Sequence, residues 1–369
     1  MGGSFHVAIL FNRLDSLGHD VRIYTSTPKF KFKDNKIKNS ITYVPMLFQG
    51  LKKIFHFNLR PWMKYFDQYL FDKTSSLIMR DAEILYGFAF CSLACGKKIK
   101  KMNGEYYLDR ACPHLKFQDS ILSDESKKTG IPFSASNNAL VSRGTAEYEL
   151  ADKIITPSIY TSKSFIDKGF DYKKIFIAPL IGKNKVGSFN KHVLKDTDSI
   201  TFAFIGENIL RKGLIHVLKA WKLLNRNHKH RLIIRSNNRY LYSNKLIKEL
   251  LNQKGIVIKN YYKNINDFYD EVDVLCLPSI DEGFGMVIIE AMSNGIPTII
   301  SKNVGASDLV RNQKDGLVIN SQSSEEILNA MHFFIQNKQE IYNFGEQAYN
   351  NAQDILKNDL YKDALAKII

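Results

Sequence analysis

The sequence has little cysteine, a deficit of acid against base, and no long apolar run, and each shortage removes a class of protein. Four cysteines in 369 residues are too few for a disulfide-built fold. Cys91, Cys95, Cys112 and Cys276 form neither a Cys-x-x-Cys pair nor a zinc pattern, so they read as reduced thiols of a cytoplasmic protein. No stretch approaches the roughly 18 consecutive apolar residues of a membrane-spanning helix. The opening Met1-Gly2-Gly3-Ser4 lacks the basic and apolar regions of a secretory signal.

Lys and Arg number 52 against 37 Asp and Glu, a formal charge of +15. Such an excess suits nucleic acid, an anionic membrane surface or a phosphorylated substrate. The lysines are spread along the chain rather than gathered in one stripe, so nucleic acid is not expected as a partner. Two segments concentrate the charge. Residues 29–38 alternate lysine with apolar residues, and residues 51–64 interleave bases with aromatics. Both suit peripheral contact with an anionic lipid surface at the inner face of the plasma membrane. Both equally suit a lysine-guarded strand edge followed by a solvated loop and helix.

A chain this long exceeds what one hydrophobic core serves, which predicts two domains. Helix-period and strand-like segments alternate, the pattern of an α/β protein with mostly parallel sheets. Strands are expected at 21–26, 84–88, 106–108, 153–156 and 175–178, with helices over 5–17, 142–151 and 161–168 between them. Residues 182–198, polar and rich in Gly, Lys, Asn and Asp, read as the linker. The alternation then restarts, with strands at 201–205, 231–235, 257–259 and 272–277 and helices at 213–225, 245–253 and 264–271. The last periodic segment, 324–369, is helical with breaks and has no strand to pair; it is expected to cross back onto the first domain. Two doubly wound domains facing each other across a central cleft follow, with ligands beyond the carboxyl ends of the strands.

The most informative stretch is 278–301. It runs Pro278-Ser279-Ile280-Asp281-Glu282-Gly283-Phe284-Gly285, then Met286 to Ser293, then Gly295, Pro297 and a second apolar strand from Thr298. Gly283 and Gly285 allow a tight turn and close backbone approach to a ligand. Met286–Ser293 reads as a short helix, whose free N–H groups suit a phosphate or a polar sugar edge. Glu290 lies one helical turn in, so both carboxylates, Glu282 and Glu290, can serve one pocket. The ordinary alternative is a helix-start acid favoured by the dipole for Glu282, and a solvated helix residue for Glu290. In the same half of the chain, Arg211-Lys212-Gly213 follows a strand and precedes a helix. Two bases there bring fixed charge to a helix N-terminus, an arrangement that binds phosphate.

Taken together, these motifs resemble the group 1 glycosyltransferases, a retaining family with the GT-B fold. The marks are Glu282-x7-Glu290, Arg211-Lys212-Gly213, Asn303-Val304-Gly305 with Asp308-Leu309-Val310, and Asp315-Gly316. In the first half, Glu147 to Asp152 with Pro157-Ser158 adds to them. The resemblance implies an acceptor-binding Rossmann-like domain over 1–182, a nucleotide-sugar-binding Rossmann-like domain over 183–345, and a C-terminal helix, 346–369, packed back on the first domain. It implies that Glu290 holds the ribose hydroxyls, that Glu282 contacts the donor sugar, and that Arg211 and Lys212 neutralise the departing diphosphate. Phe284, Gly285 and Met286 would offer backbone N–H groups to sugar and phosphate, Val287 would line the nucleotide pocket, and Gly3 would belong to a phosphate-side loop. His114, in the loop Leu108 to His114, is the catalytic candidate of the first domain, beside the donor sugar or the acceptor hydroxyl; the ordinary alternative is a satisfied loop histidine. No cofactor and no metal are implied, the nucleotide sugar being a co-substrate.

One departure stands out. The family begins with a buried strand before its Gly-Gly loop, whereas here Gly2-Gly3 lead straight into a helix, so either the start lies upstream or that strand is lacking. The activity expected is sugar transfer from a nucleotide donor to a glycan or lipid-linked acceptor in surface polysaccharide or lipopolysaccharide synthesis. The alternatives are a nucleotide-sugar epimerase or hydrolase, and a non-catalytic nucleotide-sugar-binding protein.

Overall fold

The computed structural model describes residues 3–25, 41–42, 61–181, 199–224, 229–237, 241–242, 244–260 and 265–369. The basic segment 29–38, residues 51–60 of the second one, Gly2 and the linker 182–198 lie outside them.

The first domain runs α1 (Gly3–Ser16), β1 (Tyr24–Thr25), β2 (Ile41–Thr42), α2 (Pro61–Ile78), β3 (Ile84–Phe88), α3 (Leu93–Lys101), β4 (Glu105–Asp109), α4 (Leu115–Thr129), α5 (Asn138–Leu150), β5 (Lys153–Thr156), α6 (Ile159–Ile166) and β6 (Ile175–Ile177). Strands β3-β4-β5-β6 form a parallel sheet in sequence order, and β1 pairs in parallel with β2. Helix starts follow local capping chemistry. Asn137 accepts from Leu140 N–H at the start of α5, and Ser158 from Thr161 N–H at the start of α6; each side chain satisfies a donor that the helix leaves open.

The second domain runs β7 (Thr201–Ile205), α7 (Leu214–Leu224), β8 (Arg231–Arg235), α8 (Lys245–Leu251), β9 (Ile256–Lys259), α9 (Ile265–Tyr269), β10 (Val274–Leu277), α10 (Met286–Ser293), β11 (Thr298–Ser301) and β12 (Gly316–Ile319). All its strands are parallel, in the order β12-β11-β10-β7-β8-β9. Strands β7, β10 and β11 are buried along their whole length, which is why they read as unbroken apolar runs. The chain winds outward from β7 through β8 to β9, then returns to β10 on the other side of β7. The switch point of the sheet therefore lies between β7 and β10, where such folds open a crevice for ligands.

Three helices close the chain: α11 (Ser324–Gln336), α12 (Lys338–Lys357) and α13 (Leu360–Ile368). Helix α12 packs on α10, and Gly345 allows it, since a Cβ there would sit 2.3 Å from the Gly295 carbonyl oxygen. The expected boundary at 345/346 thus falls inside α12. Helix α13 crosses to the first domain. Arg13 pairs with Asp359 at 2.8 Å, Lys153 Nζ donates to the Ile368 carbonyl at 2.6 Å, and Tyr361 meets Tyr86 at 3.5 Å.

Candidate active site

The loops that follow β7 and β10, the two strands at the switch point, are knitted into one surface. Gly213 has φ +72, and a Cβ there would lie 2.3 Å from the Pro278 carbonyl oxygen. Only glycine lets the turn before α7 lie against the end of β10. Ile280 N–H then donates to the Arg211 carbonyl at 2.8 Å. This fixes Arg211 and Lys212 beside the 281–285 turn, where their side chains meet Glu282, a contact the sequence did not foretell. Arg211 Nη1 lies 2.8 Å and Lys212 Nζ 2.5 Å from Glu282 Oε2.

The electrostatics of this trio are set by burial and mutual attraction. For Glu282, burial works to raise the pKa, but Lys212 and Arg211 together outweigh it and hold the carboxyl below the usual range. For Lys212, burial dominates and lowers the pKa, with Glu282 opposing. For Arg211, burial pulls down, while Glu282 leads the groups that leave the pKa raised. Within the trio, two cations and one ionised carboxylate leave one positive charge over in a mostly buried place, and the Asp281 carboxyl of the same turn faces Arg211 as well.

The turn itself requires its glycines. Gly285 has φ +90 and caps α10, and a Cβ on Gly283 would lie 1.9 Å from the Ala111 carbonyl oxygen of the first domain. Phe284 is buried, while Met286 and Val287 are half-buried on the first turn of α10. Glu290 stands one turn further, on the face of Met286, and accepts from the Tyr269 hydroxyl at 2.8 Å.

The first domain closes over this turn. Ser158 and Thr161 hydroxyls donate to the Gly283 carbonyl at 2.7 and 3.1 Å, and Ile159 N–H donates to Asp308 at 2.7 Å. Asp281 is fully buried and accepts from the Tyr160 hydroxyl at 3.0 Å and from the Gln118 amide. Burial raises its pKa, against the pull of those two bonds and Arg211. A second interdomain pair joins His216 Nε2 to Glu125 Oε1 at 2.7 Å. The motifs in the sequence do not single out Asp281, Tyr160, Gln118 or Tyr269. Asp281 carries a signal in its place beside Glu282, but its partners come from another domain and Tyr269 from another helix.

The remaining first-domain candidates are placed as follows. Gly3 is the first residue of α1. The loop 110–114 does face the second domain, since Ala111 and Cys112 backbone lies against Gly283. The His114 ring, however, packs among Tyr148, Phe165 and Phe170, with centroids 5.0, 5.2 and 5.6 Å away. Burial, then the charges of Arg110, Lys168 and Lys116, lowers its pKa to about 4, so the imidazole is neutral at pH 7. The loop after β3 is held by buried acids: Glu147 accepts from Phe90 and Ser92 N–H groups, and Asp72 pairs with Arg143.

Residues 188–351 match the family model described as glycosyl transferases group 1. The strands of the second domain, β7 to β12, all lie within that match. Among curated relatives, the amylovoran biosynthesis glycosyltransferase AmsD of Erwinia amylovora is 23% identical over 212 residues, covering 56% of this chain and 59% of that protein. An Escherichia coli UDP-Gal:alpha-D-GlcNAc-diphosphoundecaprenol alpha-1,3-galactosyltransferase is 28% identical over 177 residues, 46% of this chain and 44% of that one. The chain thus spans about half the length of these relatives. Among solved structures, Anabaena HepE in complex with UDP and glucose superposes with a TM-score of 0.66 at 14% identity, covering 100% of this chain and 96% of that one. A glycosyltransferase from Rickettsia africae gives 0.62 at 15%, covering 99% and 93%. The fold is therefore GT-B: two Rossmann-like domains around a cleft, with Glu282, Glu290, Arg211 and Lys212 all in the domain that the family model matches.

Proposed function

We propose that this chain transfers a sugar from a nucleotide-sugar donor to a hydroxyl of a glycan or lipid-linked acceptor, with retention at C1 and without a metal, in surface polysaccharide or lipopolysaccharide synthesis. The observation that supports this most directly is the Arg211–Lys212–Glu282 cluster at the switch point, roofed by the first domain. As the donor C1–O bond breaks, its electron pair goes to the diphosphate and the sugar ring becomes cationic. Arg211 and Lys212 stabilise the first charge and Glu282 the second. The acceptor hydroxyl attacks from the face that the diphosphate leaves, and its proton passes to the departing phosphate oxygen. Glu290, held by Tyr269, takes the ribose hydroxyls. The names of the relatives support the substrate class: a lipid-diphosphate-linked sugar for the Escherichia coli enzyme, and UDP and glucose bound to HepE. We place the protein in the cytoplasm, in peripheral contact with the inner membrane face. Among the described residues no helix is long and apolar enough to cross a membrane.

The test is incubation with UDP-, GDP- and ADP-sugars, with and without a polyprenyl-diphosphate-linked sugar, following nucleotide release and the anomeric configuration of the product. Release that depends on acceptor, with the donor's configuration kept, is expected; Glu282→Gln should lower it by about 10²–10³. Equal release without acceptor points to a hydrolase or epimerase, and no release to a binding protein.

A further inference from the structure

The end of β8 carries two buried polar groups that the donor-site chemistry described above does not use. Among the described residues, Arg235 Nε and Ser236 Oγ are both inaccessible to solvent and without a hydrogen-bond partner. Ser236 is only 3% exposed. A buried donor left open is costly, and native structures keep few of them. The backbone here is well tied down. The Arg235 carbonyl accepts from Gly206 N–H at 3.0 Å, and Ser236 N–H donates to the Lys259 carbonyl at 3.2 Å. The two residues are thus fixed between the carboxyl ends of β7 and β9, on the edge of the sheet where ligands bind.

Their place along that edge says what they would meet. Glu282 follows β10, Arg211 and Lys212 follow β7, and Arg235 ends β8, the next strand across. From β10 to β8 is two strand spacings, roughly 10 Å. A nucleotide sugar lying with its sugar at Glu282 and its diphosphate over Arg211 and Lys212 reaches β8 with its nucleoside. The Tyr269–Glu290 pair belongs to the same neighbourhood. Burial and Glu290 raise the Tyr269 pKa, and the positive charge that opposes them is that of Arg235.

We propose that Arg235 and Ser236 bind the nucleobase of the donor, Nε–H and Oγ–H donating to its carbonyl or ring-nitrogen acceptors, and so select which nucleotide the protein accepts. This rests on the donor-site reading above. The diphosphate already has its cations one strand away, so a second cation with an open donor at the end of β8 is placed for the nucleoside.

Titration calorimetry on the full chain tests it, with UDP, GDP, ADP, CDP and inorganic pyrophosphate as probes against wild type, Arg235→Gln and Ser236→Ala. Wild type is expected to prefer one nucleoside diphosphate. Arg235→Gln should weaken that one about tenfold and Ser236→Ala several-fold. Both should flatten the ranking among the four bases and leave pyrophosphate affinity unchanged. Variants that melt like wild type and keep its affinity and ranking overturn the proposal. So does a loss shared equally by pyrophosphate, which would make Arg235 a phosphate ligand. Wild type that binds no nucleoside diphosphate overturns the donor-site reading, and this proposal with it.

Discussion

Asp109→Asn should change how stability depends on pH, by an amount the structure supplies. Asp109 ends β4, is buried, and accepts from the Tyr86 hydroxyl at 3.0 Å; Tyr86 in turn meets Tyr361 of the crossing helix α13 at 3.5 Å. Burial raises its pKa from 3.8 to about 7, against the Tyr86 bond. A raised carboxyl pKa means that the folded state holds a proton the unfolded chain has released. Its contribution is fully present below about pH 4 and is lost as pH rises through about 7. Three pK units are worth on the order of 4 kcal/mol, a large part of a typical folding free energy of ~5–15 kcal/mol. The carboxamide of the variant keeps an acceptor for Tyr86 and cannot titrate. Urea denaturation of wild type and variant from pH 4 to pH 8 isolates the effect, since other groups cancel in the difference. The variant should be the less stable protein at pH 4 and should gain on wild type by about 4 kcal/mol at pH 8. A difference that stays flat with pH would mean that Asp109 is already ionised in the folded protein at pH 4.

Other outcomes follow from the site. Gly283→Ala puts a methyl group where the Ala111 carbonyl already stands, 1.9 Å away. It should cost at least ~1–3 kcal/mol in thermal melts and abolish transfer; unchanged melting would mean that the domains do not close as described. Tyr269→Phe removes the donor to Glu290 and should weaken nucleoside diphosphate binding about tenfold, read by calorimetry. Glu282→Gln leaves Lys212 and Arg211 without their counter-charge. The empty protein should lose about 3 kcal/mol, and inorganic pyrophosphate should stabilise the variant more than it stabilises wild type. Equal stabilisation would count against the trio as an anion site.

Much of the architecture was legible because buried parallel strands write themselves as continuous apolar runs. The expected strands at 153–156, 201–205 and 231–235, and the helix Met286–Ser293, have the bounds observed. The strand expected at 21–26 spans only Tyr24–Thr25 among its described residues, which pair in parallel with Ile41 and Thr42. Arg211, Lys212 and Glu282 could be named as candidates because each sits at a fixed offset from a strand end; that their side chains meet could not be read from the sequence. What was not legible depends on tertiary crossings. Nothing local in Tyr160, Gln118 or Tyr269 announces a carboxylate partner contributed by a distant element. Likewise Pro113-His114 reads as a cleft loop, but the direction of the His114 ring is decided by the cavity between Tyr148, Phe165 and Phe170.

A thermal-shift titration with UDP, GDP, ADP and CMP and their sugars, run beside Glu290→Ala, decides whether Arg211, Lys212, Glu282 and Glu290 form a nucleotide-sugar donor site. A ligand at 100 times its dissociation constant stabilises by about 2.7 kcal/mol, enough to move the melting midpoint measurably. A shift with one nucleotide family, lost in Glu290→Ala, is expected. A cooperatively melting wild type that none of these ligands shifts would contradict it.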